Sequence, residues 1–316
     1  MNNISIVFMG TPEFAVTILD KLHSQGVNIK AVITAPDKPA GRGRKILQSD
    51  VMKYATEKEL NVLQPTNLKS DEFVDQLKSI NADLFVVVAF RMLPEVVWGM
   101  PKMGTINLHG SLLPQYRGAA PINWALINGE RKSGVTTFFI EKEIDTGNII
   151  DTSEVEITQN MNAGELHDRL AAVGAELMLK TVLRIEKGDV ESKQQDLSSV
   201  ESIKHAPKIF KEDCKINWNN SAQDIHNFIR GLSPYPAAYT ELKKGEEVIS
   251  FKIFDSIILE DLGGKSNQIV KTKEGFLFPC RDKSLLITDI QMQGKRRMNF
   301  KDFSAGNNIE EYQIQQ

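Results

Sequence analysis

Cysteine is scarce: Cys214 and Cys280 are the only two in 316 residues. Two thiols so far apart build neither a disulfide framework nor a Cys-x-x-Cys metal site, so both are expected to be small buried or half-buried apolar residues. No apolar run approaches the roughly 20 residues that a membrane-spanning helix needs. The opening Met1-Asn2-Asn3-Ile4 has no basic n-region and no long apolar h-region, so no secretion signal is expected and the cytoplasm is the expected location. Charge of one sign is lacking too. With 38 Lys and Arg against 41 Asp and Glu, the net charge of −3 does not advertise a nucleic-acid partner, although a local basic patch would suffice for one. No group of His, Cys, Asp and Glu has metal-ligand spacing, so no metal is expected. There is no internal repeat and no low-complexity tract.

What is there is ordinary globular material, 41% hydrophobic and 25% charged, in a length that predicts roughly two domains. Residues 4–9 read as a buried strand, and residues 14–22 carry helical periodicity, with Pro12 and Glu13 suited to the first turn. A second strand follows at 29–34. Strand, helix, strand predicts a parallel sheet with right-handed crossovers. The first turn, Gly10-Thr11-Pro12, lacks G-x-G-x-x-G, so a dinucleotide cofactor is not indicated. Residues 51–60 and 72–80 are expected helices. The run 83–89 is apolar and β-branched, as a central parallel strand is. The expected fold class is therefore α/β, with a Rossmann-like, mostly parallel N-terminal sheet and flanking helices.

The chemistry concentrates between residues 103 and 150. Residues 105–108 end a buried strand, and Asn107 and His109 stand two apart, so an extended backbone aims both to one side. Gly110 and Pro114 then break the strand and leave both polar groups at its C-terminal mouth, where open α/β sheets bind ligands. Downstream, Asp145-Thr146-Gly147 forms a turn between two further strands, 134–140 and 148–157. An amide that can hold a carbonyl oxygen as it gains charge, an imidazole that can move a proton and a carboxylate that can orient the imidazole suit an acyl-type transfer. Residues 90–94, Phe90-Arg91-Met92-Leu93-Pro94, leave the central strand beside the same mouth. They read equally as a pocket wall or as a plain turn. Arg117 is open between binding an anionic group and anchoring its own loop. His23, His167, His205 and His226 read as structural or surface residues.

Residues 36–45 hold two prolines and two glycines, which exclude a helix or central strand, and four cations, Lys38, Arg42, Arg44 and Lys45. They are a solvated loop or a loop that grips phosphates. A helix opens at 162–165 and runs to about 187. Residues 189–206 are polar and poor in aromatics, as a linker is. After one helix at 221–230, short alternating runs at 238–242, 248–254, 268–273, 275–280 and 285–291 predict a small β-barrel or sandwich. The span 207–316 has 16 Lys and Arg against 15 Asp and Glu, with its one dense basic cluster at Lys295-Arg296-Arg297. A partly open five-stranded barrel of the OB kind is a common oligonucleotide platform.

These segments together resemble the methionyl-tRNA formyltransferases, one branch of the folate-dependent formyltransferases, over nearly the whole chain. The matching stretches are Gly10-Thr11-Pro12, Pro39-Ala40-Gly41-Arg42-Gly43, Asn107-Leu108-His109-Gly110-Ser111-Leu112-Leu113-Pro114, Arg117-Gly118-Ala119-Ala120-Pro121-Ile122 and Asp145-Thr146-Gly147. The Asn-x-His-x-Ser-Leu-Leu-Pro run and Asp-Thr-Gly are common to many folate-dependent formyltransferases. The basic loop and the β-rich C-terminal part are what point to the tRNA branch. The resemblance implies formyl transfer from N10-formyltetrahydrofolate to the α-amino group of methionyl initiator tRNA. It implies Asn107, His109 and Asp145 as catalytic residues. Ser111, Leu112, Leu113, Pro114, Phe90 and Arg91 would meet folate; Lys38, Arg42, Gly43, Arg44, Lys45 and Arg117 would meet tRNA. It divides the chain into a catalytic domain, 1–188, a linker, 189–206, and a tRNA-binding β-barrel, 207–316, acting as a monomer. The turn 90–94 departs from the family, which has a Tyr-Gly and one more residue there. Three rival readings stay open at this point: a formyltransferase with a small amine acceptor, a folate- or RNA-binding module without catalysis, and a hydrolase of the formyl donor.

Overall fold

The computed structural model describes residues 4–40, 45–198, 202–259 and 268–315. In chain order the first elements are β1 (Ser5–Gly10), α1 (Glu13–Ser24), β2 (Asn28–Ile33), β3 (Lys38–Ala40), β4 (Lys45–Leu47), α2 (Asp50–Glu57), β5 (Val62–Leu63) and α3 (Asp71–Ile80). Then come β6 (Leu84–Val88), α4 (Glu95–Trp98), β7 (Thr105–His109), β8 (Arg117–Gly118), α5 (Pro121–Ile127), β9 (Lys132–Phe139), β10 (Ile149–Glu156) and α6 (Ala163–Glu186). The rest holds β11 (His205–Ala206), α7 (Ala222–Leu232), β12 (Ala238–Lys244), β13 (Glu247–Leu259), β14 (Val270–Lys271), β15 (Phe276–Pro279), β16 (Ser284–Met292), β17 (Met298–Asn299), α8 (Phe300–Ser304) and β18 (Gln313–Gln315).

The chain divides into two compact units. The first comprises Met1–Gly118, Ser133–Val155 and His167–His205; the second comprises Ala119–Lys132, Glu156–Leu166 and Ala206–Gln316. In the first, seven strands form one sheet in the order β10-β9-β7-β6-β1-β2-β5. β1 pairs parallel with β2 and β6, and β6 with β7, while β9 joins β7 antiparallel. The parallel part follows from residues buried on both faces. Val7 and Met9 pack with Phe73, Leu77 and Val97 on one face, and Ile6 and Phe8 are fully buried on the other. Strand order reverses on either side of β1, so the crevice at the carboxyl ends of β1, β6 and β7 is the ligand-binding place this topology provides.

The second unit is built on an antiparallel sheet in the order β14-β15-β16-β13-β12-β18, with β17 on β16. The sheet curls into a half-barrel. A single bridge, Gln268 to Gln313, joins its two edges. Its core is rich in aromatics, with Trp218 stacked on Phe278 at 4.7 Å and Phe303 set edge-on to Phe251 and Phe276.

Three boundaries differ from those read in the sequence. Helix α5 belongs to the second unit, not to a domain ending at 188. Asn123 Nδ2 donates to the Gly231 carbonyl at 2.7 Å, so α5 packs on α7. The polar stretch 189–206 is not a free tether. Lys193 makes a two-way backbone bridge to Ile149, both bonds 2.8 Å, and Gln195 is buried. The basic loop is rooted in a short antiparallel ladder, β3 on β4, apart from the main sheet. The barrel also holds two strands beyond the five expected: β18 pairs with β12, and the two-residue β17 pairs with β16.

Candidate active site

Strand β7 ends at the crevice, and its alternation decides which residues face it. Leu108 points to the side where α6 runs, since a β-carbon at Gly174 would lie 2.7 Å from Leu108 Cδ2. Asn107 and His109 therefore share the opposite side. His109 is nearly buried. Its Nε2 donates to the Tyr116 carbonyl at 2.8 Å, and its Nδ1 lies 3.8 Å from Asp145 Oδ2. The same Oδ2 accepts the Gly118 backbone N–H at 2.9 Å. Asp145 thus stands beside the imidazole across 36 residues of sequence.

Two segments hold this arrangement, and both are strained. Tyr116, whose carbonyl receives His109, has φ 60°, and Asp145 has φ 56°. Ala89, at the end of β6, has φ 46°. Left-handed backbone at non-glycine residues costs of order 1–3 kcal/mol each and persists where neighbours over-determine it. Around Asp145 they do. A β-carbon at Gly147 would lie 1.7 Å from the Phe139 carbonyl oxygen, so only glycine lets the turn close onto β9.

Asn107 Oδ1 is buried with no hydrogen-bond partner among the described residues. A buried amide oxygen left without a partner by the protein is unusual, and at a ligand crevice it marks a side chain expected to meet a ligand. Ser111 is different. Its hydroxyl donates to the Gln115 carbonyl at 2.6 Å, while Thr136 Oγ1 donates to the Ser111 carbonyl and accepts the Leu113 N–H. These bonds fix the 111–115 turn, whose Leu113–Pro114 peptide is cis. Leu112 turns inward, with its Cδ2 only 2.5 Å from where a β-carbon at Gly134 would stand. Leu113 is buried, and Pro114 half-buried.

Phe90 and Arg91 lie beside an open groove lined by residues 66–69 and 91–96. The Arg91 guanidinium rests on the Phe90 ring and donates to the carbonyls of Pro65 and Thr66. Burial lowers its pKa from the ordinary guanidinium value. Of the basic loop, Lys38 is exposed on β3, and Lys45 opens β4. Arg42, Gly43 and Arg44 lie outside the described residues. Arg117 is committed: Nε and Nη2 both donate to Gln195 Oε1, at 3.2 and 2.5 Å.

The sequence reading missed three participants, the Tyr116 carbonyl, the Gly118 amide and Gln195. Backbone groups leave no residue-type signal. Gln195 sits in a polar stretch whose composition reads as linker. Among the described residues no group of three or more His, Cys, Asp or Glu could hold a metal ion, and no helix is long and apolar enough to cross a membrane.

The chain is similar to known proteins along its length. A family model described as formyl transferase matches residues 2–182, and one described as formyl transferase, C-terminal domain, matches residues 208–308. A methionyl-tRNA formyltransferase of Flavobacterium johnsoniae is 49% identical over 307 residues, 97% of each chain. One of Azobacteroides pseudotrichonymphae is 49% identical over 310 residues, 96% of this chain and 95% of that one. Among solved structures, an N-formyltransferase from Helicobacter canadensis, in complex with folinic acid and dTDP-3-aminofucose, superposes with a TM-score of 0.64 at 25% identity, over 93% of this chain and 100% of that one. With both of its halves matched and relatives of nearly half-identical sequence along its length, the chain belongs to the formyltransferase family, in the methionyl-tRNA formyltransferase branch.

Proposed function

We propose that the chain transfers a formyl group from N10-formyltetrahydrofolate to the α-amino group of methionine carried by initiator tRNA, for translation initiation, with Asn107, His109 and Asp145 performing the step. One observation carries the assignment: the His109 ring is wedged between the Tyr116 carbonyl and the Asp145 carboxylate. A carbonyl oxygen can only accept, so Nε2 keeps its hydrogen and the neutral ring has its lone pair at Nδ1. The neutral amine attacks the formyl carbon. The formyl oxygen gains charge, and the Asn107 side-chain N–H donates to it, a contribution of about 2.7–4 kcal/mol for one such donor. The surplus amine proton passes to His109 Nδ1, and the imidazolium is stabilised by Asp145 beside it. The same proton then goes to N10 as the carbon–N10 bond breaks. No bond to the protein forms, and the Ser111 hydroxyl is already committed to Gln115.

Residues 111–114, Phe90 and Arg91 form the folate side of the site. The loop with Lys38, Arg42, Gly43, Arg44 and Lys45 follows the tRNA backbone, and the half-barrel at 207–316 adds a second tRNA-holding surface. Arg117, with two of its nitrogens given to Gln195, takes the anchoring role rather than a tRNA contact. The chain acts as a monomer in the cytoplasm. The test is a formylation assay with labelled N10-formyl donor, offering charged initiator tRNA and small amines side by side. Transfer to the tRNA is expected, and His109→Ala is expected to abolish it while folate still binds. Turnover retained in His109→Ala, or label found only on the small amines, would sink the reading.

A further inference from the structure

We propose that Gln195 is a positioning residue: its side-chain amide holds the Asp145 turn, and through it the Asp145 carboxylate, against His109. The inference rests on the formyl-transfer reading above. Gln195 is 6% exposed, in a stretch without helix or strand. Its Nε2 donates to the Asp145 carbonyl at 2.8 Å and to the Gly147 carbonyl at 3.0 Å. Its Oε1 accepts both contacts from Arg117. Both donor hydrogens and the acceptor of one carboxamide are thus spent on two segments.

Those two segments are the ones that grip His109. Arg117 lies between Tyr116, whose carbonyl takes Nε2–H, and Gly118, whose N–H holds Asp145 Oδ2. Asp145 and Gly147 belong to the turn that carries the carboxylate. Gln195 therefore closes a ring around the imidazole without touching it. The left-handed backbone of Asp145 needs such support, because its relaxed alternative would swing the carboxylate away. The donor half is the working half. A carboxylate in place of the amide would keep the Arg117 contacts but set oxygen against the Asp145 and Gly147 carbonyls, with no hydrogen to share.

Two full-length variants and the wild type test this. Gln195→Glu keeps the acceptor, Gln195→Met keeps the shape without either function, and wild type is the reference. The readouts are kcat per folate-binding site, KM for folate and tRNA, and hydrogen exchange of the Gly118 amide. The expectation is a 10- to 100-fold loss of kcat in both variants, with each KM within about threefold, since misplacement of about 1 Å costs up to 10²-fold. The Gly118 amide is expected to exchange faster in both. Rescue by Gln195→Glu would overturn the proposal by assigning the role to the Arg117 contacts. A kcat per site within twofold of wild type, with only fewer folded molecules, would reduce Gln195 to a structural residue. If wild type itself formylates nothing, the formyl-transfer reading fails by itself. Unchanged Gly118 exchange in the variants then overturns the positioning role independently.

Discussion

The N-terminal sheet and the C-terminal half-barrel use their buried residues for opposite ends. The half-barrel buries aromatic faces: Phe251, Phe276, Phe278 and Phe303 are at most 2% exposed, and Trp218 stacks on one of them. The crevice of the parallel sheet holds a buried imidazole, a half-buried carboxylate, an orphan amide oxygen and a buried glutamine. It also bends three non-glycine residues into left-handed backbone. One region accumulates stability, and the other spends it on geometry. A substitution in the first should therefore move stability more than turnover, and in the second turnover more than stability.

The sharpest break of that contrast comes from the aromatic core. Phe303 is fully buried and meets Phe251 and Phe276 edge-on at 6.2 and 6.0 Å. Phe303→Ala is expected to cost about 3–5 kcal/mol, the range for deleting a buried aromatic ring. Denaturant unfolding should record it as a lower midpoint, while folate affinity per folded molecule stays unchanged. Loss of folate binding in the folded fraction would show that the two regions do not separate as claimed.

Next in size is Asn107→Ala. It should lower kcat by about 10²–10³-fold, the loss typical of one removed oxyanion donor. Its effect on the melting temperature should be small or slightly positive, because the buried Oδ1 makes no bond among the described residues and its removal relieves an unsatisfied group. A large fall in melting temperature would place Asn107 among the structural residues and blur the comparison.

What could be read in advance divides along the same line. Strand periodicity and the β-branched run at 84–88 gave away the parallel sheet, because burial on both faces leaves a continuous apolar pattern. Asn107 and His109 were legible because strand alternation is a local rule. That Asp145 stands near His109 was suggested by the Asp-Thr-Gly turn between the next two strands and by the family resemblance, since no local rule joins residues 36 apart. Gln195 was hidden. Its neighbours are polar, and a buried glutamine becomes recognisable only when two distant turns bring carbonyls to its amide. The packing of helix α5 was hidden for a similar reason: its partner, α7, lies about a hundred residues later, and nothing in α5 itself names it. Residues 255–259, a long extension of β13, escaped because register shifts between Ile253 and Ser256 interrupt the alternation.

The smallest expected effect concerns the one buried histidine of the half-barrel. His226 shares a hydrogen bond with Ser256 Oγ at 3.0 Å, and burial lowers its pKa below the ordinary imidazole value, with Arg230 on the same helix adding to the shift. The unfolded chain therefore takes up a proton before the folded one does. Stability from this group is complete above about pH 6.5, the unperturbed value, and falls as the pH drops below it toward the lowered folded value. The hydrogen bonds to the Gln159 carbonyl and to Ser256, and then Asp255, act in the other direction and limit the effect. Calorimetric scans at pH 7.5 and 5.5 should show a loss of melting temperature on acidification that is smaller by a few degrees in His226→Gln. That difference should appear in the unfolding of the half-barrel and leave the pH dependence of kcat untouched, because the contacts of His226 to Ser256 and Gln159 lie within the second unit. A kcat profile that shifts with His226→Gln would mean that the half-barrel reaches into the chemistry, and the division between a stabilising region and a working one would have to be redrawn.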